Sequence, residues 1–288
     1  MNNYVLVVMA TILLAVDFAI SKKFQSMEGT DLAPGLKYNA LNGLFTAIVF
    51  WALSGFQFEF SWFSVILAFS MALCCAAYSL IGFRVLRAGN MAIYSLFLMS
   101  GGMLLPYFFG ILFLEEELTI LRIVGVIVIL LAVILSNKSK EKLPMAFLIL
   151  CLAVFMLNGS VSVISKCHQI NTTFAPVSSI SFIMYSGIGR FLFSSAALLF
   201  LKKDGNAVKF SYKKTLLLIA ASALIGGLSY MLQLIGAKEL PATVLYPLVT
   251  GGSIIFSALA EKVFFKGKLT KYQIISIVLC FIGTCFFL

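Results

Sequence analysis

Ten stretches of this chain are nearly free of charge and long enough to cross a bilayer's hydrocarbon core, about 30 Å thick. They lie at residues 4–25, 36–54, 61–83, 90–113, 119–136, 144–165, 177–201, 213–236, 240–265 and 270–288. Inside hydrocarbon the backbone must satisfy its own hydrogen bonds, so each run is predicted to be a transmembrane helix. The period-two alternation of a lipid-embedded barrel is missing. The composition agrees, with 61% of residues apolar and 11% charged. The first run lacks a basic start, carries Asp17 and offers no small-residue cleavage site. It reads as a retained helix rather than a leader.

The ten runs divide into two copies of one plan. Ile20-Ser21-Lys22 returns as Ile164-Ser165-Lys166, an offset of 144. Gly101-Gly102 returns as Gly251-Gly252, an offset of 150, and Leu118-Thr119 as Leu269-Thr270, an offset of 151. Five helices per copy is an odd number, so the second copy enters the membrane from the opposite face. The expected fold is all-α: two inverted five-helix repeats, residues 1–137 and 144–288, joined by a polar linker at 138–143. Inverted repeats place a binding site at their interface near the bilayer midplane.

The net charge of +10 is sorted by connection, which is not the pattern of a nucleic-acid-binding protein. Connections after odd-numbered helices hold 17 of the 21 Lys and Arg, including Lys202-Lys203 and Lys213-Lys214. Those after even-numbered helices hold 3, and Arg190 lies inside helix 7. The positive-inside rule then sets the odd connections in the cytoplasm and both termini outside, in the cell membrane. Six cysteines fall in or beside apolar runs without metal-site spacing, so they read as buried thiols, and no metal is expected. The single histidine, His168, is expected at the membrane interface. There is no phosphate-binding Gly-Lys-Ser/Thr loop, no His-Glu-x-x-His site and no nucleophile elbow, so no cofactor is expected.

Particular residues carry a family resemblance. Tyr246-Pro247-Leu248-Val249-Thr250-Gly251-Gly252-Ser253 is followed by Ser257-Ala258-Leu259-Ala260-Glu261, then by Phe264-Phe265-Lys266-Gly267-Lys268-Leu269-Thr270. This resembles the end of EamA-like members of the drug/metabolite transporter superfamily. Glu116-Glu117-Leu118-Thr119 with Gly125 resembles the family's junction between its fourth and fifth helices. The chain departs from the pattern at Gly267, where an acidic residue is usual, and at Pro106, which comes later in its helix than Pro247 does. It also departs at Gln57-Phe58-Glu59, where the family is usually basic. The resemblance implies a basket of ten helices around a central cavity, alternating access, and transport of small organic metabolites such as amino acids, sugars or drugs.

Polar groups inside apolar helices are costly and face a cavity or a partner, which makes them the candidate site residues. Asp17 lies about 12 Å along its helix from Gln25. It is a candidate for binding a proton or a cationic substrate, the alternatives being pairing with Lys22 or Lys23 near the interface, or with Arg190. Arg190 needs a carboxylate, carbonyls or an anionic substrate. The resembling family often carries an arginine in such a place, which favours a structural contact. Asn158 and Gln233 are amides at depth, suited to interhelical hydrogen bonds or to the cavity wall. Tyr78 and Tyr230, offset by 152, and Tyr94 and Tyr246 suit an amphipathic ligand or the interfacial belt. Gly101, Gly102, Gly251, Gly252 and Pro247 are expected to pack helices closely or to hinge them. Glu115, Glu116 and Glu117 read as a solvated junction favouring the start of helix 5. The copies disagree where Asp17 has Val161, Arg190 has Thr46 and Glu116 has Gly267 as counterpart.

The expected function is secondary transport of small organic metabolites or drugs. The expected partners are the substrate, the lipid bilayer and protons as coupling ion, with a monomer or homodimer as the assembly. A flippase or passive channel for lipid-linked or small polar solutes shares the architecture. A membrane-embedded enzyme would need ionisable residues converging at one face, which one histidine and the scattered acids do not provide.

Overall fold

The structure, a computed structural model, describes residues 3–29, 31–87, 91–136, 145–200, 212–265 and 270–287. The expected linker at 138–143, Lys202-Lys203 and Gly267 lie outside the described residues. Ten α-helices account for most of the rest: α1 Asn3–Glu28, α2 Leu32–Leu53, α3 Trp62–Arg87, α4 Met91–Phe113, α5 Ile120–Ser136, α6 Met145–Ile170, α7 Ser179–Phe200, α8 Tyr212–Glu239, α9 Ala242–Phe265 and α10 Lys271–Cys285. No strand is found among the described residues.

Among the described residues seven helices, all but α2, α5 and α10, are long and apolar enough to span a membrane. Ten helices stand at the ten expected runs, and α5 and α10 are shorter apolar helices. Helices α5 and α10 have 17 and 15 residues, or about 25 and 22 Å at 1.5 Å per residue. Helix α2 carries Lys37, Asn39 and Asn42 in its first half, which dilutes its apolar run. Large apolar side chains such as Leu199, Phe200 and Leu217 point outward, as a hydrocarbon solvent allows.

The repeated Leu-Thr pair has a local cause. Thr270 caps α10 by accepting the Gln273 N–H, while the Gln273 side chain accepts the Thr270 N–H, a reciprocal capping box. Thr119 accepts the Arg122 N–H at 3.3 Å at the start of α5. Each threonine meets the unpaired donors that open a helix.

Two buried clusters organise the interior, and each mixes helices from both ends of the chain. One joins Met103 and Tyr107 of α4, Ile129 and Val133 of α5, Leu245 and Leu248 of α9, and Cys280 of α10. The other joins Phe50 of α2, Met71 of α3, Phe182 and Ile183 of α7, and Leu234 of α8. Helix α1 packs on α8 and α9, and α6 packs on α3 and α4. The α2–α7 contact brings two backbones close together. A Cβ on Gly43 would lie 2.7 Å from the Gly187 carbonyl oxygen and from the Phe191 nitrogen. A Cβ on Gly187 would lie 2.8 Å from the Gly43 carbonyl oxygen and from the Ala47 nitrogen. Rising residue numbers on one helix meet falling numbers on the other, so the pair is antiparallel.

The connections after α2, α4, α6 and α8 gather at one end of the bundle. Glu59 accepts the Ser178 N–H at 2.6 Å, and Ser178 itself caps α7 by accepting the Ser181 N–H at 3.3 Å. Tyr185 donates to the Glu59 carbonyl, and its ring meets Phe58 edge-on at 5.8 Å. Desolvation raises the Glu59 carboxyl, but the donors of Ser178 and the Ser181 hydroxyl outweigh it and hold the group below its ordinary 4.5. A depressed carboxyl stabilises the fold above its unfolded pKa, and that contribution is lost as pH falls through the folded value. Glu59→Gln is therefore expected to lower the melting temperature in detergent at neutral pH. The deficit should close as pH drops below 4.5, and a deficit independent of pH would refute the assignment. At the α2–α7 contact, Gly187→Val is expected to cost about 1–3 kcal/mol through overpacking. Gly236→Ala, whose Cβ meets only side-chain tips of Val7 and Leu245 at 3.3 and 3.4 Å, should leave thermal unfolding nearly unchanged.

Candidate functional site

Asp17 sits on α1 about three turns before its end. Ser222 of α8 donates its hydroxyl to the Asp17 carboxylate. A serine has one proton to give, so the remaining contacts have defined directions. Tyr38 donates to Ser222 at 2.5 Å, and Ser21 donates to Tyr38 at 2.7 Å. Asn42 of α2 donates its amide to Ser222 at 3.2 Å and accepts Arg190 Nη1 of α7, also at 3.2 Å. Arg190 Nη2 donates to Thr46 at 3.3 Å. Acid and base are thus joined through Ser222 and Asn42. Lys22, one of the partners that the sequence offered to Asp17, bridges Glu261 of α9 at 2.6 Å instead. Opposite the carboxylate stands Gly226, where a Cβ would lie 2.8 Å from Asp17 Oδ2.

A second group of predicted residues meets around a small cavity of about 30 Å³, room for about one water. Tyr230, Gln233 and Tyr246 line it beside Ser162 and Ser165. Tyr230 bonds Ser165 and reaches Met71 Sδ at 3.0 Å, while Tyr246 donates to the Ser162 carbonyl at 2.5 Å. Gln233 donates to Ser229 at 3.3 Å. Tyr78 lies on α3 one turn after Cys75 and hydrogen-bonds it. A larger space of about 260 Å³ lies between α2 and α7, lined by Ala47, Ile48, Trp51, Phe58, Met184 and Ile188. Its lining is apolar, which suits hydrocarbon and gives a polar solute nothing to orient it.

Other predicted residues lie elsewhere. Asn158 of α6 donates to the Leu98 carbonyl of α4 at 2.8 Å, and a Cβ on Gly102 would come within 2.7 Å of it. Gly101 faces the Phe155 backbone across the same seam. Tyr94 packs on Phe147 and Cys151. On α9, a Cβ on Gly251 would lie 2.5 Å from Thr284, and one on Gly252 would lie 2.9 Å from Thr11 of α1. Pro247 lies inside α9 and leaves the Thr243 carbonyl without its helical donor. His168, in the last turn of α6, is fully buried, stacked on Phe182 at 3.9 Å and bonded to Ser64 at 2.9 Å.

Two charged residues hold helix ends in ways the sequence did not indicate. Lys166 is buried, and its ammonium donates to the Ala237 and Leu240 carbonyls at 2.8 and 2.7 Å, closing the C-terminal end of α8. Glu116 accepts the Ala242 and Thr243 N–H groups at 2.6 and 2.8 Å, at the start of α9 rather than of α5. Cation on the C-terminus and anion on the N-terminus is the arrangement that the helix dipole favours. The expected end of the sixth run at 165 left Lys166 outside the membrane helix. Continuation of α6 to Ile170 sets it inside.

Comparison with known proteins fits this geometry. No curated protein matches the chain. A crystal structure of a protein superposes with a TM-score of 0.75 over 99% of this chain and 94% of its own, at 16% identity, a likeness of fold alone. The model of the EamA-like transporter family matches residues 144–288. With half of its length matched by that model, this multi-pass membrane protein belongs to the EamA-like transporter family.

Proposed function

We propose that this protein is a secondary transporter that moves small organic metabolites or drugs across the cell membrane. The proposed mechanism is alternating access between two inverted five-helix halves, residues 1–137 and 144–288. The observation that carries the proposal is the Asp17–Ser222–Asn42–Arg190 network, which draws α1 and α2 from one half and α7 and α8 from the other. An acid and a base held inside membrane helices by neutral bridges are the groups a coupling ion or a charged substrate would displace.

Reciprocal contacts support the inverted arrangement. Gly43 and Gly187 are counterparts at an offset of 144, and they face each other. Gly43 meets Phe191 as Gly187 meets Ala47, and those two residues are also counterparts. Such isologous contact is what a two-fold axis between α2 and α7 produces. The pairing of α1 with α8 and α9 mirrors that of α6 with α3 and α4. In this arrangement the basic connections face the cytoplasm and both termini face outward, which a reporter fused at the C-terminus would test. The interior cavity of about 30 Å³ is too small for an organic solute, so a transporter of this shape must open before it binds.

Asp17 is the coupling carboxylate in this reading. Uptake into proteoliposomes, screened with amino acids, sugars, nucleosides and cationic drugs, identifies a substrate. Trans-stimulation by unlabelled solute then separates an exchanger from a channel. Asp17→Asn is expected to reduce uptake driven by a proton gradient by at least about tenfold and to flatten its pH dependence. Uptake that keeps its rate and its pH dependence in Asp17→Asn would sink the coupling role. Tyr230→Phe, which removes only the hydroxyl facing Ser165, is expected to weaken substrate binding by about 0.5–1.5 kcal/mol, read as a raised KM.

A further inference from the structure

We propose that Lys166 with Glu116, and Lys22 with Glu261, are the two latches of the transport cycle, one at each face of the membrane. This inference rests on the transport reading and names the residues that regulate access to the same cavity. Lys22 and Lys166 are counterparts at an offset of 144, each near the C-terminal end of the first helix of its half. Helix α1 packs on α9 and α6 packs on α4, so each lysine approaches the end of the opposite half's fourth helix. Lys22 meets Glu261 on the last turns of α9. Lys166 meets the turn between α8 and α9, with Glu116, just past the end of α4, within electrostatic reach of it.

The latches differ in kind. The Lys22–Glu261 pair is a single contact on the outer surface of the bundle near the ends of α1 and α9, with side chains 53% and 40% exposed. Lys166 is 4% exposed, and its ammonium ties α6 to two carbonyls of α8, while Glu116 ties the α4–α5 connection to two amides of α9. Between them these two side chains stitch four segments across the α8–α9 turn. The cavity lies directly beneath: Ala237, whose carbonyl Lys166 holds, lines it together with Ser162, Ser165 and Leu245. Opening this face requires α6 to leave the end of α8, which breaks the Lys166 bonds. Opening the other face requires α1 to leave α9, which breaks Lys22–Glu261. Four bonds hold the buried latch and one holds the other, so the face carrying Lys22 opens first.

The test needs no substrate. The native cysteines at 74, 75, 151, 167, 280 and 285 are replaced by alanine, and Ser162→Cys sets a thiol in the cavity wall. Vesicles of either orientation are treated with a membrane-impermeant maleimide. Lys166→Ala is expected to accelerate labelling at least about tenfold from the face bearing the α8–α9 turn and to leave the other face unchanged. Glu261→Gln is expected to accelerate it from the opposite face alone. If Lys166→Ala does not yield folded protein, Glu116→Gln, of nearly the same shape, carries the same expectation. Unchanged rates in a monodisperse Lys166→Ala or Glu116→Gln protein, or equal acceleration from both faces, overturn the proposal. Face-selective labelling without uptake of any solute would defeat the transport reading and keep the latches. Uptake with face-independent labelling would do the reverse.

Discussion

Hydrocarbon has no hydrogen-bond partner to offer, and Asp17, Glu116, Lys166 and Arg190 are arranged around that fact. Where a helix end meets another segment, the unpaired amides or carbonyls need a charge or a cap from elsewhere in the chain. Glu116 supplies the start of α9, Lys166 the end of α8 and Glu59 the start of α7. All three work at the end of the bundle where the even-numbered connections gather. None serves its own helix. The caps therefore set which helices are neighbours as well as where each one stops.

The same constraint explains why Asp17 and Arg190 are joined indirectly. Removing an ion from water costs several kcal/mol, whereas a hydrogen bond to a charged group returns about 1.5–3 kcal/mol. A tight buried ion pair, once formed, would hold α1 to α7 against any motion. Through Ser222 and Asn42 the two charges stabilise each other weakly while each keeps donors or acceptors in either arrangement. Hydroxyls can reverse the direction of their hydrogen bonds, as a carboxyl that gains and loses a proton requires.

How far the sequence could be read follows from the range of each interaction. Helix number and most helix ends were legible, because hydropathy and threonine caps such as Thr270 act within a few residues. Gly43 and Gly187, where α2 and α7 approach closely, stood out by no pairing in the sequence. Partners across the bundle were not legible. Glu116 read as the cap of the helix that follows it and instead caps one 126 residues away. Lys166 read as the end of a span because hydropathy falls at a lysine, even though the helix continues beyond it. The Ile-Ser-Lys echo did contain the missing signal: a lysine retained at the same place in both copies is a structural position. Its depth depends on which carbonyls lie opposite, and those belong to α8.

Divergence between the halves follows from the proposed two-fold relation as well. Residues beside such an axis face their own counterparts. Arg190 bonds to Thr46, 144 residues away and its counterpart in the repeat. An arginine at both positions would set two guanidinium groups against each other in a medium of low dielectric, where like charges repel strongly. Only one half can therefore carry the cation, and the mismatch is imposed by symmetry rather than by drift. In that proposed relation Lys22 and Lys166 escape the rule, because the operation carries each to the opposite membrane face, where neither meets the other. Retained charges far from the axis serve both faces alike, and unmatched charges near it give the interior its polarity. A duplicated membrane bundle of this kind must become asymmetric at its centre before it can hold an ion there.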